Sequence, residues 1–153
     1  MKRFLMTLAM LLPAGLFGAD MSGVKTVYLL PMSSGLDQYL AVRLTTASVL
    51  QVVADPRNAD AVLTDHIGQG FEDQLDEIYG AKSKGEDDKN GSTTEFARPV
   101  SGSRGRGAIF LVNRKTRDVL WSAYERPKGT QPADLNRAAD RIADKLAKAV
   151  KGK

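Results

Sequence analysis

A chain of 153 residues with 42% hydrophobic and 26% charged side chains is long enough to bury one core and too short for two. Without any cysteine it can hold neither a disulfide framework nor a lipobox cysteine for acylation, so its fold rests on packing alone. The formal net charge of +4 is too small to argue nucleic-acid binding, and loss of residues 1–19, which hold Lys2, Arg3 and no acid, halves it.

The chain starts MKRFLMTLAMLLPAGLFGAD, in which two bases precede an uncharged apolar run over residues 4–19. That run is shorter than the roughly 20 residues that cross a bilayer, and it contains Pro13. A secretory signal peptide over 1–19 is expected, with 20–153 forming a single α/β domain in the bacterial periplasm or secreted. Cleavage after Ala19 would leave Phe17 where a small residue is preferred, so an uncleaved membrane anchor stays open.

VKTVYLL, residues 24–30, is rich in β-branched and aliphatic side chains and is stopped by Pro31, the pattern of a buried strand. In SSGLDQYLAVRLTTASVL, Ser34 and Asp37 have the spacing of a capping box, while Leu36, Leu40, Leu44 and Ala47 recur on one helical face. A helix over about 36–49 follows. LQVVAD (50–55) reads as a second strand ended by Asp55, Pro56, Arg57 and Asn58, and ADAVLTDHIG (59–68) as a third. FEDQLDEIYG places Phe71, Leu75, Ile78 and Tyr79 at helical spacing opposite Glu72, Asp73, Asp76 and Glu77, a short amphipathic helix.

From about 80 to 105 the composition turns to Gly, Ser, Lys and acids, too polar to offset its ordering entropy, and a mobile insertion is expected there. GAIFLVNRKTRDVLWSAYERPKG then reads as a hairpin, with residues 108–112 forming a central strand and the strand after the turn wetter on one face. Arg117 stands where such turns favour glycine, so a positive φ is expected, and Arg117→Gly should stabilise by a few tenths to about 1 kcal/mol. QPADLNRAADRIADKLAKAV closes the chain as a helix. Pro132 and Asp134 start it, Lys145, Lys148 and Lys151 finish it, and Leu135, Ala139, Ile142, Leu146 and Ala149 form its apolar stripe.

Sites of chemistry are weakly supported. His66 is the lone histidine and has no cysteine beside it, so a structural role at a strand end is expected in place of a zinc site or a triad. In EDDKNG, Glu86, Asp88, Asn90 and Gly91 match the first, third, fifth and sixth places of a calcium loop, but Ala97 occupies the twelfth, where a carboxylate is needed. PMSSGLD lies between strand and helix, where N–H groups could cradle an anion, yet it lacks the lysine and repeated glycines of a phosphate loop. Arg104 and Arg106 in SRGRG could meet an acidic partner or simply solubilise their loop.

Taken in order, VYLLPM, SSGLDQYLAVRLTTASVLQVVAD, NADAVLTDHIG, GAIFLVNRKTRDVLWS and the last amphipathic helix resemble a small envelope domain. It is the α/β domain at the N-terminus of TolB and in CsgG-like, FlgO-like and LpoB-like proteins. The resemblance covers most of residues 24–150 and is carried by hydrophobic pattern and turn residues. It implies an α+β two-layer sandwich, a mixed sheet of about five strands with two main helices on one face, ordered β-α-β-β-(short α)-β-β-α. It also implies binding or assembly without catalysis. Members are often lipoproteins, and the lack of cysteine departs from that, favouring a soluble exported form. No long amphipathic segment resembles the membrane-inserting hairpins of the curli pore. NRKTRDVLW is similar to the turn of PQQ-type propeller blades, but one such unit cannot close a ring, so no quinone cofactor follows.

The functional expectation is a noncatalytic binding or assembly module of the bacterial cell envelope, acting through protein–protein contacts. Its candidate partner or ligand surface is Phe110, Trp121, Tyr124, Arg104 and Arg106. A periplasmic carrier of a small apolar ligand, lipid or peptide, with Phe110, Trp121 and Tyr124 lining a pocket, is the alternative. No catalytic residue, cofactor, metal or nucleic-acid partner is expected, and membrane contact should be peripheral or through an uncleaved anchor.

Overall fold

The computed structural model describes residues 21–80 and 107–152. The expected leader, nearly all of the expected polar insertion, the EDDKNG run, Arg104 and Arg106 lie outside the described residues.

Strand β1 (Thr26–Leu29) stops before Pro31, which has no N–H for a ladder. Helix α1 (Leu36–Thr46) begins differently from the capping box read from its sequence. An N-cap that bonds through its side chain needs extended backbone, whereas Ser34 (φ 60°) and the N-cap Gly35 (φ 73°) are both left-handed. These two residues turn the chain sharply from strand to helix. Asp37 folds back instead, its Oδ1 accepting the Met32 N–H at 3.0 Å. The helix ends about one turn earlier than its apolar pattern suggests, because Ser48 takes φ 50°. There Ser48 N–H bonds the Thr45 carbonyl at 3.2 Å and Val49 N–H the Leu44 carbonyl at 3.2 Å, a Schellman closure that seats Val49 in the core.

Strand β2 (Gln51–Val52) is much shorter than the apolar run that encodes it. A 3-10 turn at Pro56–Asn58, capped by the Asp55 side chain on Arg57 N–H, leads into β3 (Ala61–Thr64), whose four residues are all buried. Helix α2 (Gln69–Gly80), strands β4 (Ala108–Asn113) and β5 (Val119–Tyr124), and helix α3 (Pro132–Lys151) complete the described chain.

The strands form one mixed sheet in the order β2-β1-β3-β4-β5. β1 runs parallel to both β2 and β3, with Val27 opposite Val52 and Ala61, while β4 is antiparallel to β3 and β5. The buried strand at the centre is therefore β3, not β4 as its five apolar residues suggest, and the β4–β5 hairpin runs out to the sheet edge. The α+β sandwich with α1 and α3 together on one face is present. Leu36, Leu40 and Leu44 of α1 and Leu135, Ala139, Ile142 and Leu146 of α3 close over Val27, Ala61, Leu63, Ile109 and Leu111. Every one of these side chains is under one-tenth exposed. Full burial of each leucine or isoleucine contributes about 1.5–3 kcal/mol.

Helix α2 packs on the opposite face. Phe71 and Leu75 meet Leu30, Val62 and Val112, with Tyr28, Ile78, Tyr79 and Phe110 around the margin. The strand residues that alternate away from α1 and α3 thus find their own cover.

Candidate functional site

The hairpin that holds the expected surface residues is built from its turn outward. Asn113 Oδ1 accepts the N–H groups of Lys115 at 2.8 Å and Thr116 at 3.1 Å, an Asx-type closure that the side chain can make only in a tight turn. Arg117 completes the reversal at φ 66°, as expected for a position that favours glycine. Its guanidinium reaches α2, with Nε 3.8 Å from Glu72 and an Nη 3.5 Å from Asp76.

Just past the turn the register shifts. Val112 pairs with Val119 and Leu111 with Trp121, leaving Leu120 as an extra residue on β5. A bulge places two successive side chains on one side of a strand. Leu120 and Trp121 both pack against the core beneath α1 and α3, whereas Val119 pairs with Val112 of the α2 side. Strict alternation would have put Val119 with Trp121 and Leu120 with Tyr124; the bulge reverses both pairings.

Before the bulge, Ala108 opposite Tyr124 and Phe110 opposite Ser122 put Phe110 and Tyr124 on one face and Trp121 on the other, so the three do not line one pocket. On their shared face no β5 side chain joins the α2 cluster. Val119 is 41% exposed and Tyr124 66% exposed there, beside half-buried Phe110. Val119 and Tyr124 are thus exposed on the edge strand to either side of Ser122, and Phe110, opposite Ser122, stands at the margin of the α2 cluster. β5 is also an edge strand, and its free side is partly blocked, since Lys145 Nζ bonds the Tyr124 carbonyl at 3.0 Å.

A second location follows from topology. The chain leaves β1 toward α1 on one face and leaves β3 toward α2 on the other, so the carboxyl ends of these adjacent parallel strands flank a switch point, where α/β sheets place ligands. The crevice is occupied by the protein's own carboxylate. Asp65, only 5% exposed, accepts Ser33 N–H at 2.9 Å and Ser33 Oγ–H at 2.8 Å on Oδ2, and faces His66 Nδ1 at 2.8 Å with Oδ1. Burial pushes its carboxyl up, and the Ser33 and His66 hydrogen bonds outweigh that, holding it below the usual carboxylate range. The His66 ring stands edge-on to Phe71, 6.4 Å between centroids, and Thr64 Oγ1 bonds the His66 carbonyl at 3.1 Å.

This arrangement locks one loop to another and does not assemble a triad. The Ser33 hydroxyl donates to the carboxylate and not to the ring, so the serine–histidine contact of a triad is absent. The anion cradle considered for PMSSGLD is also spent, because Met32 and Ser33 N–H groups point at Asp37 and Asp65. Sequence reading missed the Ser33 to Asp65 link, which joins residues 32 apart. Its one signal was an acid directly following a largely apolar strand, where a buried carboxylate must find donors. Among the described residues no group of three or more His, Asp or Glu side chains could hold a metal ion.

Two further carboxylates clamp the fold. Asp60 Oδ2 accepts Lys25 and Thr26 N–H groups at 2.9 and 3.0 Å, which lowers its carboxyl pKa and fixes β1 beside β3. Glu125, just past β5, pairs with Lys145 at 2.8 Å and with Arg141, and its carboxyl is lowered chiefly by the Lys145 hydrogen bond.

The architecture defines an α+β sandwich on a mixed five-stranded sheet whose edge strand exposes Val119 and Tyr124. No family model, no curated protein and no solved structure matches the chain, so the likeness to the TolB, CsgG, FlgO and LpoB domains rests on sequence pattern alone. No helix among the described residues is long and apolar enough to cross a membrane.

Proposed function

We propose that the chain is a noncatalytic binding or assembly module of the bacterial cell envelope, acting in the periplasm or after secretion. Its protein–protein contact is the open face of the β4–β5 hairpin. The observation that carries this reading is the exposure of Val119 and Tyr124 on the edge strand, beyond the α2 cluster whose margin ends at Phe110. Aromatic side chains at a sheet margin supply large contact area with little rotamer entropy to lose, which is why such residues anchor interfaces. The basic start and apolar run of residues 1–19 support export. The self-satisfied hydrogen bonds of the β1/β3 crevice favour a binding role over catalysis.

A photo-crosslinking side chain placed at Val119 or Tyr124, in cells that make the protein natively, tests this. One defined envelope protein should be captured from both positions, and Val119→Lys and Tyr124→Lys should abolish its co-purification while leaving the melting temperature unchanged. Capture no greater than from exposed Lys115 in the turn would refute the assignment.

A further inference from the structure

Helices α2 and α3 lie on opposite faces of the sheet and carry opposite charge. α2 presents Glu72, Asp73, Asp76 and Glu77 and contains no lysine or arginine. On α3, Arg137, Arg141, Lys145, Lys148 and Lys151 recur three or four residues apart, which at 3.6 residues per turn sets them on one line along the helix. The line spans roughly 20 Å at 1.5 Å per residue. It faces away from the core, whose side of the helix is taken by Leu135, Ala139, Ile142 and Leu146.

Internal pairing offsets part of this stripe and leaves it net positive. Arg141 and Lys145 share the single charge of Glu125, Asp134 stands 3.8 Å from Arg137, and Asp140 is engaged by Arg43 at 2.8 Å. Asp134, Asp140 and Asp144 keep the same spacing, so this face of α3 carries five bases and three acids. Lys148 and Lys151 make no ion pair among the described residues and sit at the helix carboxyl end, with Gly152 beyond them. The acidic helix lies two layers away, roughly 20 Å, which exceeds the Debye length of about 8 Å at physiological salt, so it does not neutralise the stripe at contact. A molecule with this distribution is oriented by a charged surface even though its net charge is small.

We infer that the outer face of α3 is a docking surface for an anionic phospholipid bilayer. The inference rests on the envelope reading for its setting, and it uses a face of the protein opposite to Val119 and Tyr124. The unpaired Lys148 and Lys151 at the end of a rigid, net positive helix face suit a planar anionic surface, with each base near such a surface strengthening binding by about fivefold. Attachment by α3 would leave α2 and the open hairpin face turned away from the lipid, free to engage a protein.

Co-sedimentation of the protein, as purified from its host, with vesicles of phosphatidylcholine alone or mixed with phosphatidylglycerol tests the inference. A retained leader, with Lys2 and Arg3, would itself favour the anionic vesicles, so the α3 contribution is read from the difference between the parent and the α3 charge-reversal variant. The mixed vesicles should bind more tightly at low salt, the excess should vanish at about 1 M salt, and Lys148→Glu with Lys151→Glu should weaken binding by roughly 25-fold or more. Asp73→Lys with Glu77→Lys, which raises net charge on the far face, should change it by less than about threefold, and circular dichroism should show all variants folded. Equal binding to both vesicle types, insensitivity to the α3 reversal, or a larger effect from the α2 pair would overturn the inference. Retention on heparin without vesicle binding would overturn it too, by assigning the stripe to an anionic polymer. None of these outcomes bears on cross-linking from Val119 and Tyr124.

Discussion

Replacing Arg117 by glycine sets two effects of similar size against each other. Arg117 holds φ 66°, a conformation that costs a residue with a Cβ about 1 kcal/mol or more relative to glycine. Glycine removes that strain but frees the unfolded chain, which returns a few tenths. The side chain, 29% exposed, also stands 3.8 Å from Glu72 and 3.5 Å from Asp76, partners that are 43% and 78% exposed. Pairs this long and this exposed to solvent contribute roughly 0.2–1 kcal/mol. The stabilisation of up to about 1 kcal/mol argued from the turn alone is therefore largely offset, and Arg117→Gly should leave stability within about 0.5 kcal/mol of the parent. In a background of Glu72→Gln and Asp76→Asn the offset is gone, so the same substitution should stabilise by about 0.5–1 kcal/mol, or roughly 2–4 °C in melting temperature. Thermal and urea melts of the four proteins, repeated at about 1 M salt, measure this directly; high salt should reproduce the neutral background by screening. Destabilisation beyond about 1.5 kcal/mol in both backgrounds would refute the reasoning, because it would mean that neither strain nor the acids govern this position.

Asp65→Asn should cost about 2–3 kcal/mol, since a charged acceptor buried beneath Ser33 and His66 is exchanged for a neutral one that also brings donors of its own; a urea midpoint within error of the parent would discount the lock. Gly107→Ala should destabilise by more than about 2 kcal/mol, as φ is 100° there and a Cβ would stand 2.9 Å from the Arg126 Cα. Leu40→Ala, at a fully buried position, should cost about 2–5 kcal/mol by calorimetry. Asp60 and Glu125 have lowered carboxyl pKa values when folded, so their stabilisation is complete above their ordinary values of 3.8 and 4.5 and is lost as pH falls through the folded ones. Stability measured by urea melts should thus decline below about pH 4.5, and Glu125→Gln should flatten the upper part of that decline.

What was legible in the sequence was whatever repeats with a helix or strand period. Most of the α3 stripe emerged because Leu135, Ala139, Ile142 and Leu146 keep their spacing over about three turns against a polar background, whereas Ala149 is only half-buried and Ala138 and Ala143 join the core instead. The sharp entry to α1 was misread, since Ser34 and Asp37 have the spacing of a capping box but the left-handed turn at Ser34 and Gly35 redirects Asp37 to Met32. The bulge at Leu120 has no periodic signature at all: one inserted residue shifts the face of Val119 while the letters VLWSAY still alternate. Which face α2 would choose was equally hidden, because an amphipathic helix specifies that it packs and not against which side. The Ser33 to Asp65 lock depends on two loops meeting, a tertiary event with no local pattern.

The strand order sets the sequence in which this molecule can assemble. β1 and β3 pair in parallel, with Val27 opposite Ala61, and β3 receives its other neighbour only when Asn113 arrives opposite that same Ala61. Until then a chain growing from its N-terminus holds three parallel strands with a bare, largely apolar β3 along one side, and Leu63 has no helix α3 above it. The last twenty residues of the described chain close a core whose first strand was made first. Such long-range pairing slows folding, because β3 waits for β4 and the core beneath both waits for α3.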